Sequence, residues 1–109
     1  MNKKYFLKTE NIKPLVYGHG GGIATDMIMV EGKPINYMYR EEPNDPSDSG
    51  WCFMSGYESQ EYLDNPDNMA IYDLNTIANY SPDIVPFLEA PYSSAYERNE
   101  AGKFFAVEN

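Results

Sequence analysis

The chain has 109 residues, with 17 acidic and 8 basic side chains for a net charge of −9, one histidine, one cysteine and one tryptophan. That length suits a single domain spanning 1–109. One cysteine excludes an internal disulfide and a multi-cysteine zinc site, and no apolar run approaches the length of a membrane span. The acids concentrate towards the C-terminal half: between Arg40 and Arg98 there is no base and there are twelve acids. A field of that sign argues against binding to nucleic acid or to an anionic membrane surface, and it would speed encounter with a basic partner. The plainer reading of the same charge is a solvated acidic surface. Met1 to Lys8 lacks the apolar stretch and small-residue cleavage site of a signal peptide, which makes the cytoplasm the expected location.

In chain order, Leu15–Tyr17 reads as a short strand before the break Gly18-His19-Gly20-Gly21-Gly22. Ile23–Val30 reads as a second strand, Glu31-Gly32-Lys33 as a turn, and Ile35–Arg40 as a third strand with Ile35, Tyr37 and Tyr39 on one side. The last two are expected to form a hairpin. Glu41–Gly50 is a polar loop and Trp51–Met54 a short buried strand. Ser55-x-x-Glu58 has the spacing of a capping box for a short helix reaching about Asp64, stopped by Asn65-Pro66. Met69–Tyr72 reads as a strand. Asp73 is placed to cap a helix over Leu74–Asn79 that buries Leu74, Ile77 and Ala78. Pro82 opens another helix that Pro86 keeps short, and Lys103–Val107 is a final strand. These elements predict an α+β fold, a largely antiparallel sheet with short helices packed on it.

Several motifs bear on chemistry. His19-Gly20-Gly21-Gly22 resembles an esterase oxyanion loop, but there is no G-x-S-x-G and no second histidine to serve as base, so a flexible turn is the expectation. The same glycines match neither a dinucleotide loop nor a phosphate loop. Asp45-x-Ser47-x-Ser49-Gly50 opens like a calcium loop, yet the closing position is Gly56 where a bidentate glutamate is required. Cys52, between Trp51 and Phe53, is expected to be a buried structural thiol. Asn79-Tyr80-Ser81 matches a glycosylation acceptor by chance. Paired carboxylates are abundant, but nothing in the sequence makes them converge on a metal or a substrate. Tyr37, Tyr39 and Trp51 suit either a protein interface or the core beside the hairpin, and the core is the stronger expectation for large rings.

A set of sequence words occurs in order: Ile23-Ala24-Thr25-Asp26, Tyr37-Met38-Tyr39-Arg40-Glu41-Glu42-Pro43, Asp48-Ser49-Gly50-Trp51, Ser55-Gly56-Tyr57-Glu58, Tyr72 through Tyr80, and Pro82-Asp83-Ile84. Together they resemble the bacterial immunity protein 33 family over about residues 14–98. In that family a basic residue often follows the D-S-G-W word, where this chain has Cys52. The resemblance implies a cytoplasmic antidote to a polymorphic toxin and does not imply an active site; no metal and no cofactor are expected.

The combined expectation is a non-enzymatic protein that neutralises a cognate, basic toxin by stoichiometric occlusion. The contact residues expected are Tyr39, Glu41, Glu42, Asp45, Asp48 and Trp51, with Glu58 and Glu61 as a second acidic strip. Arg40 is expected to tie the hairpin to the acidic loop through Asp48. Two alternatives stand beside this reading. One is a small carboxylate-based hydrolase or metal-dependent enzyme, which requires at least three carboxylates in a concave pocket. The other is a regulatory domain with a small ligand near the glycine loop, which an apolar pocket there would favour.

Overall fold

A computed structural model describes residues 3–108. Six strands form one sheet: β1 (Gly21–Thr25), β2 (Tyr37–Arg40), β3 (Asp48–Met54), β4 (Met69–Asp73), β5 (Ala95–Arg98) and β6 (Phe104–Val107), in the order β4-β1-β3-β2-β5-β6. The β1–β3 pairing is parallel and the other four pairings are antiparallel. Short helices α1 (Asp26–Met29), α2 (Gln60–Asp64) and α3 (Leu74–Tyr80), with a 3-10 helix at Pro82–Phe87, complete the α+β architecture. Among the described residues no helix is long and apolar enough to cross a membrane.

The hairpin expected between Ile23–Val30 and Ile35–Arg40 does not form. The extended run ends at Thr25, and Asp26–Met29 turns into one turn of helix that buries Ile28 and Met29. A continuous apolar run carries no period and does not separate a buried strand from a buried helical turn. Gly32, at φ +78°, closes that turn. Its N–H donates to the Ile28 carbonyl and that of Lys33 to Met27, so the predicted turn is a helix end. β3 then inserts between β1 and β2 and pairs with both.

Other differences have local causes. Leu15–Tyr17 is no strand: the N–H groups of Leu15 and Val16 both donate to the Asn75 amide oxygen, at 2.7 and 2.9 Å. The Glu58 carboxylate does accept the Ser55 N–H, but the Ser55 hydroxyl accepts the Tyr57 N–H, and the helix starts later, capped by Ser59. The strand expected from Trp51 begins at Asp48. β5 had no sequence signal, since Tyr96-Glu97-Arg98 shows no apolar alternation. Elsewhere the spacing served well: Asp73 accepts a bond from Asn75 N–H, and α3 buries Leu74, Ile77 and Ala78. The Asn79 amide is held by the Lys13 main chain and the Asn75 carbonyl.

The core lies on one side of the sheet. Ala24, Met38, Trp51 and Phe53 meet Ile28, Met29, Leu74, Ile77, Ala78, Ile84 and Leu88 there. The Trp51 and Phe53 rings stack at 6.1 Å between centroids, and the Trp51 indole N–H donates to the Leu88 carbonyl at 3.0 Å. Burying two such rings contributes roughly 2–3 kcal/mol each.

Gly50 joins β3 to the chain leaving β2. Its φ is +87°, the Glu41 N–H donates to its carbonyl, and a Cβ placed on it would stand 1.9 Å from the Glu41 carbonyl oxygen. Gly50→Ala is therefore expected to cost more than about 2 kcal/mol in urea unfolding. Gly102→Ala, at φ +81° in open space, should cost only about 1 kcal/mol. Equal costs at the two positions would contradict the close approach.

Candidate functional site

Strand alternation separates the core side from a second side. Reading the cross-strand partners across the sheet gives one row: Ile71, Ile23, Cys52, Tyr39, Ala95 and Val107, on β4, β1, β3, β2, β5 and β6 in turn. A second row holds Met54, Tyr37, Glu97 and Phe105. Ile71 is 67% exposed and Phe105 46%. Tyr37 and Tyr39 are half-buried, with ring centroids 5.6 Å apart. Neither row contains a lysine or an arginine.

Acids stand around these rows. At one end Tyr39, Glu41, Glu42 and Asp48 line a small cleft of about 190 Å³, floored by Ile23 and Cys52. Asp45 is exposed on the same loop, and its carboxylate accepts the Ser47 N–H and hydroxyl at 2.9 and 2.8 Å. Those bonds hold its carboxyl below the usual range. At the other end of β3 the Glu58 carboxylate accepts the Thr25 hydroxyl at 2.5 Å and the N–H groups of Ser55 and Gly56 at 2.9 Å each. Thr25 shares the Ile23 side of β1, so Glu58 lies over the same side of the sheet. Glu61 is exposed on the first turn of α2, where a negative charge suits the helix dipole.

The eight residues expected from the sequence therefore divide. Tyr39, Glu41, Glu42 and Asp48 come together, and Asp45 is on their loop. Glu58 and Glu61 stand apart from them, roughly 20 Å away along a seven-residue strand. Trp51 is a correction: at 1% exposure its ring is in the core, on the opposite side from Tyr39, and offers no contact surface. The Arg40 tie is another. The guanidinium bonds to the Ser49 and Ala90 carbonyls, not to Asp48, whose Oδ1 accepts the Gly50 N–H. Ile71, Glu97 and Phe105 went unnoticed in the sequence, because their grouping depends on strand order.

The chemistry of the small cleft is subdued. Burial pushes the Cys52 thiol up; the bond from Tyr39 works the other way, and the charges of Glu41 and Glu58 add to the rise. A thiol raised in this manner is a poor nucleophile. Burial also pushes the Tyr39 hydroxyl well above its ordinary value, with the Cys52 thiol and Glu41 adding to it, so Tyr39 stays a neutral donor. Three carboxylates do border one cleft, the arrangement a carboxylate hydrolase requires. Among the described residues, however, no three His, Cys, Asp or Glu side chains converge closely enough to hold a metal ion. The cleft beside the glycine loop is lined by Arg40, His19, Asp48 and Glu89; it lacks the apolar wall expected of the regulatory-domain reading and suits only a polar or charged group.

The fold is an α+β sheet with its core on one side. The family model described as the Immunity protein Imm33 domain matches residues 22–108, from β1 through β6. The chain belongs to the Imm33 family of immunity proteins. No curated protein and no solved structure matches it. The sequence words that carried the resemblance acquire a physical sense. Tyr37–Pro43 and Asp48–Trp51 are the two arms of the β2–β3 hairpin, locked by Gly50, by the Arg40 bonds and by the buried Trp51 ring.

Burial opposes ionisation of Glu58, but the bonds from Thr25 and Ser55 outweigh it and hold the carboxyl below the usual range. Its folded value lies below its unfolded one, so those bonds stabilise in full above about pH 4.3 and fade as the pH falls through the folded value. Glu58→Gln should lower the urea midpoint at pH 7. The gap to the unsubstituted protein should narrow below about pH 4.3. A gap unchanged from neutral pH down to pH 3 would contradict this assignment.

Proposed function

We propose that this protein is a non-enzymatic, cytoplasmic antidote that neutralises a cognate toxin by stoichiometric occlusion, docking through the side of its sheet opposite the core. Family membership supports a toxin as the partner. The single observation that carries the docking surface is the pair of cross-strand rows, largely apolar and aromatic, free of lysine and arginine, with acids near both ends of β3. This is the anatomy of a contact in which rings exclude water and a charged rim guides approach. In this reading Tyr39 and Tyr37 form the centre, with Ile71 and Phe105 on the two edge strands. Glu41, Glu42, Asp45 and Asp48 form one rim, with Glu58 and Glu61 beyond the other end of β3. The net charge of −9 favours a basic toxin.

The test pairs capture of the partner from the source bacterium with rescue of a host expressing it. Tyr39→Ala should weaken binding at least tenfold, about 1.4 kcal/mol, through faster dissociation. Glu41→Lys with Glu42→Lys should slow association several-fold at low salt and matter little at high salt. Ile71→Asp should abolish rescue. Rescue that survives both Tyr39→Ala and Ile71→Asp would overturn the docking surface. An association rate insensitive to salt would remove the steering while leaving the surface in place.

A further inference from the structure

Arg40 leaves β2 on the Met38 side and reaches a cleft of about 600 Å³ behind the hairpin, lined also by His19, Asp48, Glu89 and Tyr92. Its guanidinium is fixed on three sides. Nε donates to the Ser49 carbonyl at 2.8 Å and Nη1 to the Ala90 carbonyl at 2.7 Å. The group also lies over the Tyr92 ring at 4.6 Å and within 5.8 Å of the Trp51 ring. Among the described residues Nη2 donates to nothing, and no carboxylate comes within 4.0 Å of the group. An unpaired, immobilised cation is unexpected in a chain with 17 acids and 8 bases.

Arg98 shows what is absent. It has the same plan at the other end of the core side: Nε on a carbonyl, that of Ile35, at 2.9 Å, and the guanidinium 4.1 Å from a ring, that of Phe104. Its remaining edge, however, holds the Asp83 carboxylate, through Nη1 at 2.5 Å and Nη2 at 3.3 Å. The paired form is the one that a planar, five-donor group favours.

We infer that the Arg40 cleft is a binding site for a carboxylate, which takes the place at Arg40 that Asp83 takes at Arg98. The volume is that of a small-ligand site. The other charged groups facing the cleft select among anions. Asp48 and Glu89 are both acidic, and Glu89 stands 3.8 Å from His19 Nε2. A doubly charged phosphate doubles both its attraction to Arg40 and its repulsion from the two acids, so with two acids against one arginine the added charge is a net cost. His19 Nδ1 faces the Tyr17 carbonyl at 2.8 Å, which can only accept, so Nδ1 carries a proton and Nε2 is left towards the cleft. The ligand's carboxylate belongs either to a free small acid or to the end of a peptide chain. The site does not depend on the docking surface proposed above, which is on the other side of β2.

The test follows the Arg40 Nε–H and Trp51 indole N–H resonances while acetate, inorganic phosphate or chloride is added at matched ionic strength. Acetate should produce a saturable shift with a millimolar dissociation constant. Phosphate should bind more weakly, and chloride should give no saturable shift. Glu89→Gln, at a side chain 89% exposed, should tighten acetate binding about threefold without affecting the fold. Arg40→Lys, checked for native near-ultraviolet dichroism, should abolish saturation. A neutral peptide with a free C-terminus, compared with its amide, separates the sources. Tenfold tighter binding than acetate, lost in the amide, assigns a chain end, and equal binding assigns a free acid. Chloride matching acetate, phosphate binding at least as tightly, or no effect of Glu89→Gln would each overturn the assignment.

Discussion

Between β1 and β2 runs β3, hydrogen-bonded to both, parallel to the first and antiparallel to the second. A parallel neighbour requires a crossover. The chain from β1 makes it through α1 and β2, so that β3 returns into the gap between them. This insertion places Trp51 and Phe53 at the middle of the sheet on the core side, and Cys52 at the middle of the other. The end of the insertion is pinned by Gly50, whose carbonyl takes the Glu41 N–H and beside which the Glu41 carbonyl oxygen stands where a Cβ would have to be. The small cleft and the Arg40 cleft open on the two sides of that same pinned end, and Asp48 lines both.

The two sides carry different physics. On the core side, several polar groups have internal partners: Trp51 on Leu88, Arg98 on Asp83, Tyr80 on the Met29 carbonyl, whereas among the described residues Arg40 has no carboxylate and the buried Tyr72 hydroxyl has no partner. On the other side, apolar side chains of Ile71 and Phe105 are left in water beside half-buried tyrosines. Exposed apolar side chains at both edges of one side of a sheet, with tyrosines between them and acids nearby, mark a side that a partner can cover. Membership of the Imm33 family supplies a natural class of cover.

Much of this was legible in the sequence, for identifiable reasons. Asp73 followed by Leu74, Ile77 and Ala78 combines a cap with helical spacing, and both signals are local. The tail strand and Met69–Tyr72 were visible from their apolar runs. Ile23–Val30 misled because an unbroken apolar run has no period, so the switch to helix at Asp26 left no trace. β5 was invisible because Tyr96-Glu97-Arg98 owes its pairing to β2 and β6 and not to its own pattern. Tyr39, Glu41, Glu42 and Asp48 were found together since they flank one loop. Trp51 was grouped with them by proximity in sequence, but strand alternation sends its ring to the opposite side. Arg40 was matched with the nearest acid, whereas main-chain carbonyls took the bonds.

The central claim is that the side of the sheet away from the core is the surface that meets the toxin. Oxidative footprinting of the complex tests it most directly, because it reads side chains and not backbone. The account predicts that Tyr37, Tyr39, Ile71 and Phe105 become protected on binding, while Tyr17 and Tyr92, 77% and 47% exposed beside the Arg40 cleft, keep their labelling. Protection of Tyr17 and Tyr92 with Ile71 and Phe105 unchanged would contradict it.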